Sequence, residues 1–184
     1  MLIVAMAIHE SDFGMSTHAQ TINNIFGIKV FDSSPEKGEA YATIEDCVNS
    51  LANNYLNKNY VPATGAYANG GMAGNKARGI NVRYASDPYW GEKVGGHMYS
   101  IDKYLGKKDF MKYTIHETTA SGLNIRSSAS SASNANLLFT YKKAGMPVAV
   151  LETSNSWHKI LSDNVANQYA YVHSNYTKAL PIAK

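Results

Sequence analysis

Thiol chemistry is almost missing from this chain, which has one cysteine, Cys47, among 184 residues. A single thiol excludes a disulfide within the chain and any zinc cluster built on cysteines. Charge is also scarce, at 17% of residues against a usual ~25%. The net charge of +3 is too small to argue for nucleic acid, and no nucleic-acid partner is expected. Long apolar runs are missing too. The longest, residues 1–8, falls far short of the ~20 residues of a membrane-spanning helix. It also lacks the basic start and the small-residue cleavage site of a secretion signal.

What is present fits a folded protein: 45% of residues are hydrophobic, and tyrosine supplies 13 of the 20 aromatic side chains. A surface of phenols, hydroxyls and amides suits sugar binding. The texture changes near Gly106–Lys112. Helical patterns with Gly/Asn-rich loops lie before it, and short alternating runs with Ser/Gly/Asn turns lie after it. The charge divides at the same place. Residues 113–184 carry six Lys/Arg against three acids, so the whole basic excess is in the second half. Two domains are expected, 1–106 and 113–184, joined by a linker at 107–112.

Leu2, Met6 and Phe13 predict a buried helix that stops at Gly14, and Thr17-His18-Ala19-Gln20 has the spacing to open a second one. Phe26, Ile28 and Val30 alternate as a strand, Asp32-Ser33-Ser34-Pro35 turns the chain, and Ala40–Ala42 supplies a return strand. Thr43-Ile44-Glu45-Asp46 caps a helix with Cys47, Val48, Leu51 and Tyr55 on one face. Residues 65–83 are too irregular for a core element and long enough for a functional loop. Asp87-Pro88 starts a last helix whose buried stripe is Trp90, Val94, Met98, Ile101 and Leu105.

Glu10 falls at the end of the first apolar helix, by the negative end of the helix dipole, where its ionised form is disfavoured. That suits a general acid. A solvated glutamate in a last helical turn would occupy the same position, and this argument alone leaves both readings open. His9-Glu10 lacks the second histidine one turn later that a zinc pair needs, because residue 13 is Phe13, and no metal or other cofactor is expected. Asp46-Cys47 opens like the nucleophile motif of NlpC-type cysteine peptidases, but Val48-Asn49 replaces their Ser-Gly. Cys47 therefore reads as a buried, inert thiol.

Four segments, in order, carry a resemblance: Ala7-Ile8-His9-Glu10-Ser11-Asp12-Phe13-Gly14-Met15-Ser16, Asn23-Asn24-Ile25-Phe26-Gly27-Ile28, Tyr41–Val48 and Gly79–Pro88. Through them the first domain resembles bacterial cell-wall endo-β-N-acetylglucosaminidases, similar to glycoside hydrolase family 73. The resemblance implies an α+β, lysozyme-like fold, mostly helical, with a small β-lobe walling a cleft. It implies Glu10 as the catalytic acid and Tyr84 beside the reacting sugar, with Glu39 as second acid ahead of Glu36 and Asp32. Asn24, Phe26 and Gly27 would shape the cleft, and Tyr67 and Asp87 are counted with them as substrate-binding. Family members usually carry a further helix before the acid, whereas Met1 lies nine residues upstream of Glu10.

Leu123-Asn124-Ile125-Arg126-Ser127, Lys142–Val148, Asn155–Ile160 and Tyr171–Tyr176 make the second domain resemble a bacterial SH3 (SH3b) module, a small all-β barrel. That implies tethering to peptidoglycan, with Trp157 and Tyr171 as wall-contact residues. The expected partner is bacterial peptidoglycan, the expected state a monomer, and the expected place the cell wall outside the cell. With no signal peptide here, phage-type release or a truncated N-terminus would account for that location. A non-catalytic wall-binding or phage structural protein with a degenerate hydrolase domain is the alternative.

Overall fold

The computed structural model describes residues 1–163 and 168–181, so the last residues of the second expected domain lie outside the described ones. Two hydrophobic cores form, one in each half of the chain.

Helix α1 (Leu2–Ser11) is apolar as far as Ile8 and buries Ala5 and Met6. It ends three residues before Gly14. Ser11 turns its hydroxyl back on the Ala7 carbonyl (2.6 Å) and accepts the Gly14 N–H (2.8 Å). Asp12 and Phe13 then leave the helix with positive φ. Phe13, expected in the core, is 70% exposed as a result. Helix α2 (Thr17–Ile22) is capped by Ser16, whose hydroxyl accepts the Ala19 N–H, so the cap is one residue earlier than the sequence suggests.

The strand expected at Phe26–Val30 is absent. Lys29 has φ 58°, which breaks an extended run, and Asn24 folds the segment into a turn. Its buried amide donates to the Ile28 carbonyl and accepts the Ile28 N–H, both at 2.9 Å. Among the described residues the β-lobe reduces to one bridge, Phe31 with Ser34. Asn23 then holds the expected return segment by donating to the carbonyls of Tyr41 and Ala42.

Helix α3 (Ile44–Ser50) opens on a full capping box, Thr43 and Asp46 each satisfying the other's backbone N–H. From Leu51 to Tyr60 the chain continues as a π-helix. This wider coil places residues five apart on one face, which brings Tyr55 and Tyr60 to the same side. Within residues 65–83, a 3₁₀ turn (Ile80–Val82) buries Ile80 and Asn81, so part of this loop belongs to the core after all. Helix α4 (Trp90–Tyr104) begins two residues after Pro88 and packs along α1. Leu105, expected in the buried stripe, is half exposed at the helix end.

The 107–112 segment is folded rather than a free tether. Buried Asp102 accepts the N–H groups of Asp109 (2.9 Å) and Phe110 (2.8 Å), clasping it to the end of α4.

Among the described residues the all-β unit follows as seven antiparallel strands: β1 (Thr114–Thr118), β2 (Leu123–Arg126), β3 (Leu137–Tyr141), β4 (Pro147–Ser154), β5 (Trp157–Leu161), β6 (Tyr169–His173) and β7 (Thr177–Ala179). Their order in the sheet is β3-β2-β6-β5-β4-β1-β7. Alternation along β5 and β6 sends His158, Ile160, Ala170 and Val172 inward. Asn155 and Ser156 both take positive φ in the two-residue β4–β5 turn, the geometry that suits a tight hairpin. Strands β2 and β6 pair at one register position, Arg126 with Tyr171.

The two halves touch through residues 63–78. Ala63 packs against the second core, Arg78 pairs with Glu117 at 2.9 Å, and Lys143 donates to the Asn69 side chain. No helix among the described residues is long and apolar enough to cross a membrane.

Candidate active site

A cavity of about 430 Å³ opens beside the C-terminal end of α1. Glu10 reaches it from the last turn of that helix. Phe26, Gly27 and Lys29 line it from the Asn24 turn, Tyr55 and Tyr60 from the π-helix, and Tyr84 from the loop after the 3₁₀ turn.

Glu10 is half-buried, and its Oε1 accepts a 2.6 Å hydrogen bond from the indole N–H of Trp90. Burial pushes its pKa above the ordinary glutamate value, while the indole bond pulls it back. Burial wins. The acid form therefore persists to higher pH than in a free glutamate, as a proton donor to an ether oxygen requires. Trp90 is fully buried and is also stacked by Tyr84, with ring centroids 4.7 Å apart. Tyr60 meets Tyr84 edge-on at 5.8 Å. Burial raises the Tyr84 hydroxyl well above its usual pKa, with Glu10 adding to the shift, so Tyr84 stays a neutral phenol.

The expected site residues fall into two groups. Glu10, Phe26, Gly27 and Tyr84 line one cavity. The others lie outside its lining. Asn24 braces the turn that carries Phe26 and Gly27 from behind. Glu39 is the ion-pair partner of Lys29, with Oε2 3.0 Å from the ammonium, and it is Lys29 that reaches the cavity. Glu36 and Asp32 are exposed on the same loop. Tyr67 meets Tyr60 at a tilt, with ring centroids 5.3 Å apart. Asp87 accepts the Tyr89 N–H and pairs with Lys93 at 2.7 Å, which holds its carboxyl below the usual range. Cys47 is buried, its thiol raised by burial, and touches Asn24 rather than any opening.

Sequence reasoning missed Trp90 as the partner of Glu10, having read it as a hydrophobic anchor. It also missed Lys29, Tyr55 and Tyr60. Positive φ at Lys29 and the π-coil, which orient these groups, leave no periodic signal in the sequence.

Residues 1–103, which include this whole cavity, match the glucosaminidase family, described as mannosyl-glycoprotein endo-beta-N-acetylglucosaminidase. The chain belongs to the glucosaminidase family. It is also 37% identical over 111 residues to a protein of Streptococcus pneumoniae serotype 4 (strain ATCC BAA-334 / TIGR4) named "Putative endo-beta-N-acetylglucosaminidase". A protein of the same name from Streptococcus pneumoniae (strain ATCC BAA-255 / R6) matches at the same identity and length. Each alignment covers 59% of this chain, but only 16% and 15% of the respective relatives. The glucosaminidase match stops short of β1, so the seven-stranded sheet lies outside it.

Two hollows flank Trp157 in that sheet. The larger, about 500 Å³, is lined by Asn124 of β2, Trp157 of β5, His173 of β6 and Tyr176. Trp157 meets His173 edge-on at 5.2 Å. The smaller, about 150 Å³, has Tyr171 and Lys159 in its wall.

Proposed function

We propose that this chain is a peptidoglycan hydrolase that cleaves the glycan strand after N-acetylglucosamine, with Glu10 as general acid and the C-terminal sheet as wall anchor. The observation that carries the reading is the half-buried carboxyl of Glu10, its pKa raised, facing a tyrosine-walled cavity inside the family match. Phenol rings pack on sugar faces while their hydroxyls remain free to hydrogen-bond.

Glu10 is the one carboxylate among the described residues that line the cavity. This favours participation by the substrate's own 2-acetamido group, an exception to the two-carboxylate scheme. Glu10 gives its proton to the bridging oxygen, and the bond from that oxygen to the anomeric carbon breaks with its electron pair going to oxygen. The acetamido carbonyl oxygen bonds to the anomeric carbon in its place. Water then bonds to the anomeric carbon as the acetamido oxygen leaves it with the electron pair, and Glu10, now a carboxylate, takes the proton that this water gives up.

Mass spectrometry of digested muropeptides tests the reading. N-Acetylglucosamine is expected at every new reducing end, and N-acetylmuramic acid there would overturn it.

An SH3b-type anchoring role for the domain at 113–184 is supported by Trp157 and Tyr171 beside the two hollows. Removal of an aromatic anchor from a binding hollow costs about tenfold or more in affinity. Trp157→Ala is therefore expected to weaken cosedimentation with purified walls by about that factor while leaving hydrolysis of a soluble glycan fragment unchanged. Unchanged sedimentation would remove Trp157 from the anchor.

A further inference from the structure

The carboxyl of Asp163 bridges the two halves of the molecule. Its Oδ2 accepts the Tyr141 hydroxyl at 2.6 Å, from the edge of β3, and its Oδ1 accepts the backbone N–H of Gly71 at 3.2 Å, from the 65–83 loop. The seat is tight. A Cβ built on Gly71 would lie 2.8 Å from that same Oδ1, and one on Gly70 would lie 2.5 Å from Pro147. Lys143 adds a bond to Asn69.

From this seat the loop runs as a strap to the glycan cleft. Gly79 N–H donates to the Asn69 carbonyl, Ile80 N–H to Met72 and Asn81 N–H to Ala73, at 2.7–2.9 Å. Ile80 in turn accepts the Tyr84 N–H at 3.1 Å. Asn81, fully buried, accepts the Ala85 N–H and donates to the Asp87 carbonyl. The strap also presses on α4 where Gly91 follows Trp90. A Cβ on Gly91 would sit 1.8 Å from the Gly74 carbonyl oxygen. Both residues that touch or face Glu10, Trp90 and Tyr84, are thus held by a segment whose other end is seated on the sheet.

We propose that Asp163 is a positioning residue for hydrolysis: by clamping Gly71 to Tyr141 it fixes the strap that sets Tyr84 and Trp90 around Glu10. The sheet then has a part in turnover as well as in anchoring. This rests on the hydrolase reading above.

Burial raises Asp163 from 3.8 to about 6, against the opposing pull of the Tyr141 and Gly71 hydrogen bonds. Tyr141 faces it from β3, and Lys143 on the following turn is engaged with Asn69. Among the described residues no charged side chain contributes to the shift. The Tyr141 hydroxyl and the Gly71 N–H both donate to the carboxyl and favour its charged form, so these two contacts oppose the rise that burial causes.

The test uses the full chain and a soluble four-sugar wall glycan, too short to depend on anchoring. Asp163→Ala is expected to lower kcat about tenfold with little change in KM, as a small misplacement of reacting groups does. Tyr141→Phe, which keeps the buried ring, should act in the same direction. Asp163→Asn, whose carbonyl oxygen can still accept the Gly71 N–H, should stay near wild-type kcat and keep the amide protection of residues 69–73 that Asp163→Ala loses. If Asp163→Ala fails to fold, Tyr141→Phe decides. Wild-type kcat and unchanged amide protection in folded Asp163→Ala or Tyr141→Phe would overturn the proposal. A wild-type chain that leaves the glycan intact would instead overturn the hydrolase reading.

Discussion

Glu10→Gln is expected to slow release of reducing ends from purified walls by about 10²–10⁴-fold, the range over which a positioned general acid contributes. The substitution is nearly isosteric. The glutamine carbonyl can still accept the Trp90 indole N–H, so α1 and α4 should keep their packing and the protein its thermal stability. What disappears is the proton. Undiminished hydrolysis by this variant would remove Glu10 from the reaction. In the parent chain the sign of the pH effect follows from the raised pKa of Glu10. The acid must be protonated to act, so kcat should fall as pH rises through a value above that of an ordinary glutamate.

Trp90→Phe carries the next largest effect. Its ring fills most of the same buried space, yet the 2.6 Å bond to Glu10 is lost. Two consequences follow. The carboxyl loses the contact that fixes its direction, which should lower kcat by about 10–10²-fold. It also loses the one interaction that favours its charged form, so its pKa should rise further and the alkaline limb of the rate profile should move to higher pH. A drop in kcat with an unmoved limb would show that Trp90 acts through packing alone. Loss of both effects would show that the indole bond has no part in catalysis.

Features that depend on local spacing were legible in the sequence. The apolar run before Glu10 gave the helix that delivers it, and Thr43 with Asp46 gave a complete capping box. The alternation of Phe26, Ile28 and Val30 misled because alternation describes side chains, whereas Lys29 with φ 58° and the Asn24 amide dictate a turn. The Trp90–Glu10 bond joins residues 80 apart, and no pattern within one helix announces it. The 65–83 stretch was recognised as too irregular for an ordinary core element. Its glycines at 70, 71, 74 and 79 mark close approaches of backbone to neighbouring chain, a signal of docking more than of substrate contact. Asn24 and Glu39 fall beside the cavity, one behind its floor and the other on its cation, although neither lines it.

The seating of Gly70 and Gly71 against Pro147 and Asp163 bears on chimera design. Two-part chains such as this one are readily imagined as cassettes, cut at residue 107 and fused to a foreign module. In this chain such a cut would separate the covalent link correctly and still strip the catalytic half of a surface it leans on. A workable graft would have to bring its own proline ridge and acidic notch, or else shorten the 65–83 segment so that it stands unaided.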